Sequence, residues 1–198
     1  DTLTLQFTAW TNGTTRATAL TTRNGVLVLT GSLTRRYLGT FYTTATTTTE
    51  DSFAKRFVWN YYHRKKRLMR VEELTDNWTY TTATLRQANA AAANQLDLVL
   101  GVAEEAVHVK VASTVYSDAA GRLLMVSIGA DSTSAHATGV QSGTVESQSA
   151  TNWLQPIATL HTYPAIGRHF YAWLEFSEAV GTTTWFGDDG GTNLQSGI

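Results

Sequence analysis

The run His63-Arg64-Lys65-Lys66-Arg67, with Arg70 just beyond, is the strongest concentration of positive charge in the chain. Such a run can neutralise the phosphates of nucleic acid or the anionic groups of an envelope polysaccharide. Trp59, Tyr61 and Tyr62 precede it, and flat aromatic rings suit stacking on bases or sugars. The plainer reading places these aromatics in the core and sets the cations on a solvated face or against the acidic residues of a neighbouring subunit. That reading is preferred. Nucleic-acid-binding domains usually carry net positive charge as a whole, whereas the formal charge here is −1. Arg64, Lys65, Lys66 and Arg67 are therefore expected as contacts to a neighbour or to an anionic ligand, with nucleic acid disfavoured.

Catalytic groups are harder to assemble. Glycan-cleaving enzymes set two carboxylates across a groove. Glu104-Glu105 and Asp188-Asp189 are adjacent in sequence, so on a strand each pair would point to opposite faces. The histidines, His63, His108, His136, His161 and His169, lack the spacing of a helical zinc motif. No G-x-S-x-G elbow is present. Asp188-Asp189-Gly190-Gly191 resembles a fragment of a calcium loop, yet it lacks the further acidic positions such loops supply. A solvated turn is the preferred reading. The sequons at Asn12 and Asn77 are expected by chance in so threonine-rich a chain. The sequence thus predicts a non-enzyme with no cofactor and no metal ligands.

Six tryptophans stand at Trp10, Trp59, Trp78, Trp153, Trp173 and Trp185. Most alternate with polar residues on expected strands, which predicts core positions. Trp153 lies in a polar stretch and is expected to anchor an interface, because a flat apolar ring with a polar edge suits one.

The elements that would position these residues are mostly strands. Threonine makes up about a sixth of the 198 residues, and charged residues only 16%. Threonine is β-branched and fits a pleated surface facing water. Leu3, Leu5 and Phe7 alternate with polar residues, the period of a half-buried strand. Asn24-Gly25 signals a turn before an extended run from Val26 to Thr30. Leu96 to Leu100 reads as another strand. Val107, Val109 and Val111 share one face of the next, with His108 and Lys110 on the other. A polar turn at Asp118 to Gly121 leads into a strand from Arg122 to Gly129. Phe170 to Phe176 and Thr182 to Phe186 read as a closing hairpin. Ser132 to Gln155 is rich in Ser, Thr and Gly and reads as a surface excursion or an arm reaching a neighbour.

One helix is expected, from about Thr48 to Tyr62. Thr47 and Glu50 have capping-box spacing, and Phe53, Phe57 and Tyr61 fall on one helical face. Ala88 to Ala93 reads equally as a short helix or a loop. The fold predicted is mainly β, an antiparallel β-sandwich or jelly roll with this one short amphipathic helix at about 48–62. It forms a single domain over 1–198, with the polar excursion at about 132–155.

Nine of the fifteen Lys and Arg residues lie between Arg35 and Arg70, and the chain beyond is acidic. There is no cysteine, so no disulfide or thiolate site can form. That absence favours assembly in a reducing cytoplasm. No apolar run is long enough to span a bilayer as a helix. The chain opens at Asp1 without methionine and ends in the polar Ser196-Gly197-Ile198, as expected of a segment from a longer polypeptide.

Several stretches recur together in one order. They are Arg36-Tyr37-Leu38-Gly39-Thr40, Thr49-Glu50-Asp51-Ser52, Arg56-Phe57-Val58-Trp59-Asn60-Tyr61-Tyr62 and Trp78-Thr79-Tyr80. Arg86-Gln87-Ala88-Asn89, Trp173-Leu174-Glu175 and Gly181-Thr182-Thr183-Thr184-Trp185-Phe186-Gly187-Asp188 follow. This series resembles tailed-bacteriophage and prophage virion proteins of the tail-fibre or appendage type, over most of the chain from Trp10 onward. His63 stands where the resemblance leads one to expect asparagine. The resemblance implies a structural subunit on the particle exterior, assembled in the host cytoplasm and serving assembly and host attachment. Its expected partners are further copies of itself, a trimer by analogy with fibres, other virion proteins and a host surface glycan. A capsid decoration or head-fibre protein is the alternative within that class. A glycan-cleaving tail enzyme is the alternative outside it.

Overall fold

In the computed structural model, residues 3–148, 152–191 and 195–198 are described. The fold is mainly β, as the composition leads one to expect. A six-stranded sheet forms its centre. Its long strand Gly167–Ser177 pairs with Arg122–Ala130 on one side, and with Gln95–Leu100 and Arg86–Gln87 on the other. Gly143–Ser147 extends the sheet beyond Arg122–Ala130, and Lys55–Arg56 joins Gln95–Leu100 as the only parallel pairing in this sheet among the described residues.

One face of this sheet presents Leu124, Val126, Ile128, Tyr171 and Trp173, all fully buried or nearly so. Two smaller sheets cover it. The first is Asn77–Thr79, Thr183–Phe186 and Thr114–Ser117, which turns Trp78, Val115 and Trp185 inward. The second is the ribbon of Val107–Ala112 and Ile157–Thr162, which contributes Val109, Val111 and Leu160. Polar ties join the layers: Trp78 Nε1 donates to Glu175 at 2.8 Å, and Trp185 Nε1 to Ser177 Oγ at 3.3 Å. This is the two-layer arrangement that alternating strands require, each sheet burying one face against the other.

The amino-terminal part adds small antiparallel pairs: Trp10–Asn12 with Thr15–Arg16, Gly39–Phe41 with Val58–Asn60, and Thr43–Ala45 with Thr48–Thr49. A meander runs through Leu20–Arg23, Val26–Leu29 and Ser32–Arg36. Asn24 and Gly25 both take positive φ, 51° and 78°. This is the geometry of the tight two-residue hairpin that the Asn-Gly pair predicts.

Four expectations are corrected. First, no helix forms over 48–62, which holds Thr48–Thr49, Lys55–Arg56 and Val58–Asn60 as strands. Phe57 and Trp59 are buried while Val58 and Asn60 are exposed, a period of two rather than 3.6. Phe53, the first residue of the supposed helical face, is 61% exposed. The Glu50 carboxylate binds Lys55 Nζ and Ser52 Oγ instead of capping a helix. Sheet partners at Gly39–Phe41 and Leu98 satisfy the backbone better than local turns would. At Ala88–Ala90 there is a single 3₁₀ turn, with Asn89 at φ 53°.

Second, Leu3, Leu5 and Phe7 bury no face. Residues 3–9 carry no strand, and Leu3 and Phe7 are 99% and 72% exposed. Third, the two strands expected as a closing hairpin lie in different sheets. The chain crosses between layers at 178–182, where Asp118 Oδ1 accepts from Thr182 N at 2.6 Å. Fourth, the stretch 132–155 is a surface excursion only in part: residues 132–140 carry no strand and are mostly exposed, and the other described residues are tied into the fold. The stretch supplies the strand Gly143–Ser147, His136 Nδ1 meets Ser127 Oγ at 2.7 Å, and Gln141 bridges Thr159. Its residues 149–151 lie outside the described residues. Residues 196–198 also belong to the fold. Gly197 bridges both Glu72 and Ala112, and Ile198 is buried in the core.

Candidate functional site

The basic run follows the strand Val58–Asn60, whose Trp59 points into the core. After Tyr61 and Tyr62 the chain turns outward, and residues 62–68 are all exposed. Arg64 folds back over the aromatics, with its guanidinium 4.4 Å from the Tyr61 ring centroid and 5.5 Å from that of Trp59. Its Nη1 donates to Glu104 Oε2 at 2.8 Å, while Glu105 Oε1 lies 3.6 Å from Nε. Glu105 also accepts from Trp59 Nε1 at 3.0 Å. Desolvation opposes the charge of Arg64, but the two carboxylates outweigh it and hold the guanidinium above its ordinary pKa.

Glu104 and Glu105 therefore do converge, contrary to the expectation for a strand, because they sit in and beside a turn over 101–104. What they converge on is a cation of the same chain. Arg67 is likewise engaged: Nη2 donates to Asp51 Oδ2 at 2.5 Å, and Nη1 to the Val58 carbonyl at 3.1 Å. Lys65 and Lys66 form no ion pair with any described residue. The four basic residues divide into two structural arginines and two lysines turned to solvent.

A second arginine organises the other side of the same aromatic group. Arg16 lies 4.8 Å over Trp10 and 5.0 Å over Tyr37. It also donates to the Gly101 carbonyl and to Tyr37 Oη. Beside it runs an open cleft of about 380 Å³ lined by Thr14, Leu20, Leu27, Val102, Glu104 and Ile166. Sequence reading missed Arg16, since its partners Tyr37, Thr40 and Gly101 stand far along the chain.

Trp153 lies half-exposed, at 48%, on the outer face of the three-stranded sheet. One side of its ring rests on Phe186, with centroids 4.4 Å apart and planes at 22°, and Tyr116 stacks at 6.4 Å. Leu154 meanwhile pairs with Val115, which holds the segment as a short extra strand. The ring is thus supported on one side and half-open to solvent. Of the other tryptophans, Trp59, Trp78, Trp173 and Trp185 are buried as expected.

The most perturbed acid belongs to the core. Glu175 is fully buried, and burial pushes its pKa up to about 7. Three donors act in the opposite sense, Arg86 Nε at 2.7 Å, Trp78 Nε1 at 2.8 Å and Asn89 N at 3.2 Å. The group ties the two layers together and reaches no cleft described above. Asp188 and Asp189 sit in a turn, with Gly190 N donating to Asp76 Oδ1 at 3.0 Å.

No family model matches the chain, and neither a curated protein nor a solved structure does. The functional reading rests on the residues themselves.

Proposed function

We propose that this chain is a non-enzymatic structural subunit of the exterior of a tailed-bacteriophage particle, of the tail-fibre or appendage type. In that role it acts by assembly and by contact with a host surface. The observation that carries the reading is the set of large apolar side chains left in water along extended segments. Leu3, Leu5 and Phe7 are mostly exposed near the start of the chain, and Trp153 stands half-exposed on the outer face of the three-stranded sheet. A monomeric domain has little reason to leave so many large apolar side chains uncovered, while an assembling one covers them with a neighbour. The motif order from Arg36 to Asp188 supplies the particle and the appendage type. Avidity among many copies then lets weak individual sites suffice for attachment.

Imaging of intact particles with an antibody against this chain tests the proposal. Label on the tail or its appendages is the expected result. Label on the capsid shell alone would replace the appendage by a decoration role, and unlabelled particles would overturn the virion reading. Release of reducing sugar from host polysaccharide by the purified chain would overturn the non-enzymatic part.

A further inference from the structure

The ribbon formed by Val107–Ala112 and Ile157–Thr162 buries Val109, Val111, Ala158 and Leu160 and turns His108, Lys110 and His161 to solvent. His108 and His161 stand directly opposite each other in the register. How closely two opposed residues approach depends on which backbone groups face across the ribbon. Thr159 exchanges both its N–H and its C=O with Gln141, and Ala112 exchanges both with Gly197. These groups point away from the ribbon partner, so Lys110–Thr159 and Ala112–Ile157 are non-hydrogen-bonded pairs. The alternation of an antiparallel ladder then makes His108–His161 another. Such pairs have the closer spacing, with Cα atoms about 4.5 Å apart.

The two imidazoles lie with centroids 6.3 Å apart and planes at 75°. Tyr163 stands edge-on to His161 at 5.6 Å. His136 and His169 are committed to Ser127 and Asp131, whereas neither His108 nor His161 bonds to another described residue. Two imidazoles sharing one ion at about 2.0–2.1 Å from each nitrogen have centroids about 5 Å apart at a tetrahedral angle. A small rotation of each side chain closes that difference.

We propose that His108 and His161 form a cross-strand chelate for a borderline divalent transition-metal ion, of which Zn²⁺, Ni²⁺ and Cu²⁺ are the representatives. Imidazole nitrogen suits these ions, whereas hard cations such as Ca²⁺ and Mg²⁺ prefer oxygen donors. No third His, Asp or Glu joins the pair among the described residues. Water completes the coordination, and the affinity is that of a two-point site. Lys110, diagonal to His161, places a like charge near the ion and weakens binding. The ladder fixes the two backbone positions opposite each other before the ion arrives, so capture by one histidine makes capture by the other an intramolecular step.

Calorimetric titration of Zn²⁺ into the purified chain tests this, with Cu²⁺ electron paramagnetic resonance reporting the donor atoms. One ion per chain is expected, with coupling to two nitrogens. His108→Ala and His161→Ala should each weaken Zn²⁺ binding by about tenfold or more, because either change destroys the chelate. His63→Ala should leave it unchanged, and Lys110→Gln should tighten it. Both histidines are exposed, so melting without metal reports whether the variants fold. Lack of saturable Zn²⁺ binding, or less than a threefold loss in either folded single variant, would overturn the proposal.

Discussion

Glu175 illustrates how one buried residue links the fold to pH. Its carboxyl titrates near 7 in the folded chain, against 4.5 for an unperturbed glutamate. The folded state therefore binds this proton more tightly than the unfolded state does. By linkage, its contribution to stability is fully present below about pH 4.5 and is lost as pH rises through about 7. Melting temperatures measured from pH 5 to pH 8 should fall more steeply in the wild type than in Glu175→Gln, which cannot ionise. Parallel curves would show that Glu175 is not the source. The basic run yields a second expectation at this scale. Lys65→Gln with Lys66→Gln should change stability by less than about 0.5 kcal/mol, as exposed unpaired sites do. Arg64→Gln with Arg67→Gln should cost about 1 kcal/mol, from lost ion pairs and the lost stacking of Arg64. The second loss should be larger at low salt than at high salt, since exposed pairs are screened. Denaturant unfolding of both double variants checks this, and equal effects would contradict the division between structural arginines and free lysines.

At the scale of the element, the strand Gly143–Ser147 shows how a stretch that reads as surface loop becomes part of a sheet. Gly143 pairs with Val126, and a Cβ there would collide with the backbone of Ile157. The residue must be glycine because another strand passes directly over it. Gly143→Ala should therefore destabilise the chain by about 2 kcal/mol, the scale of overpacking a filled site. Urea unfolding measures it, and a midpoint unchanged from the wild type would sink the argument. The segment 48–62 carries the opposite lesson. Phe53, Phe57 and Tyr61 match a helical face by count, yet Phe57 and Trp59 are the residues buried, alternating with Val58 and Asn60. Spacing alone could not decide between the two periods, because the partner strand Gly39–Phe41 that selects one lies well upstream.

For the whole molecule, the apolar residues left outside argue for assembly. Light scattering at micromolar concentration should give a multiple of the 21.6 kDa chain mass. Three copies are expected from the resemblance to fibres, since cyclic symmetry lets one surface serve every copy. The fluorescence of Trp153 should be shielded from a soluble quencher in the assembled form. A stable monomer with Trp153 fully quenched would remove the physical basis of the proposal. A different number of copies would discard only the threefold expectation.

Strand content, the Asn24-Gly25 hairpin, the inward valines of Val107–Ala112 and the buried tryptophans were all legible in the sequence. Each depends on side-chain alternation or on backbone preferences within a few residues. The exposure of Trp153 could be read the same way, from a polar setting around one large ring. Only the tertiary structure decided which strands pair. It set Gly167–Ser177 and Thr183–Phe186 in different layers, although they are neighbours in sequence. It also brought Glu104 and Glu105 onto Arg64, set Arg16 against the face of Tyr37 and placed His108 opposite His161. These contacts join residues 21 to 53 positions apart. No local periodicity encodes such pairings, because they arise from the register of strands that meet only when the apolar faces of the sheets close on one another.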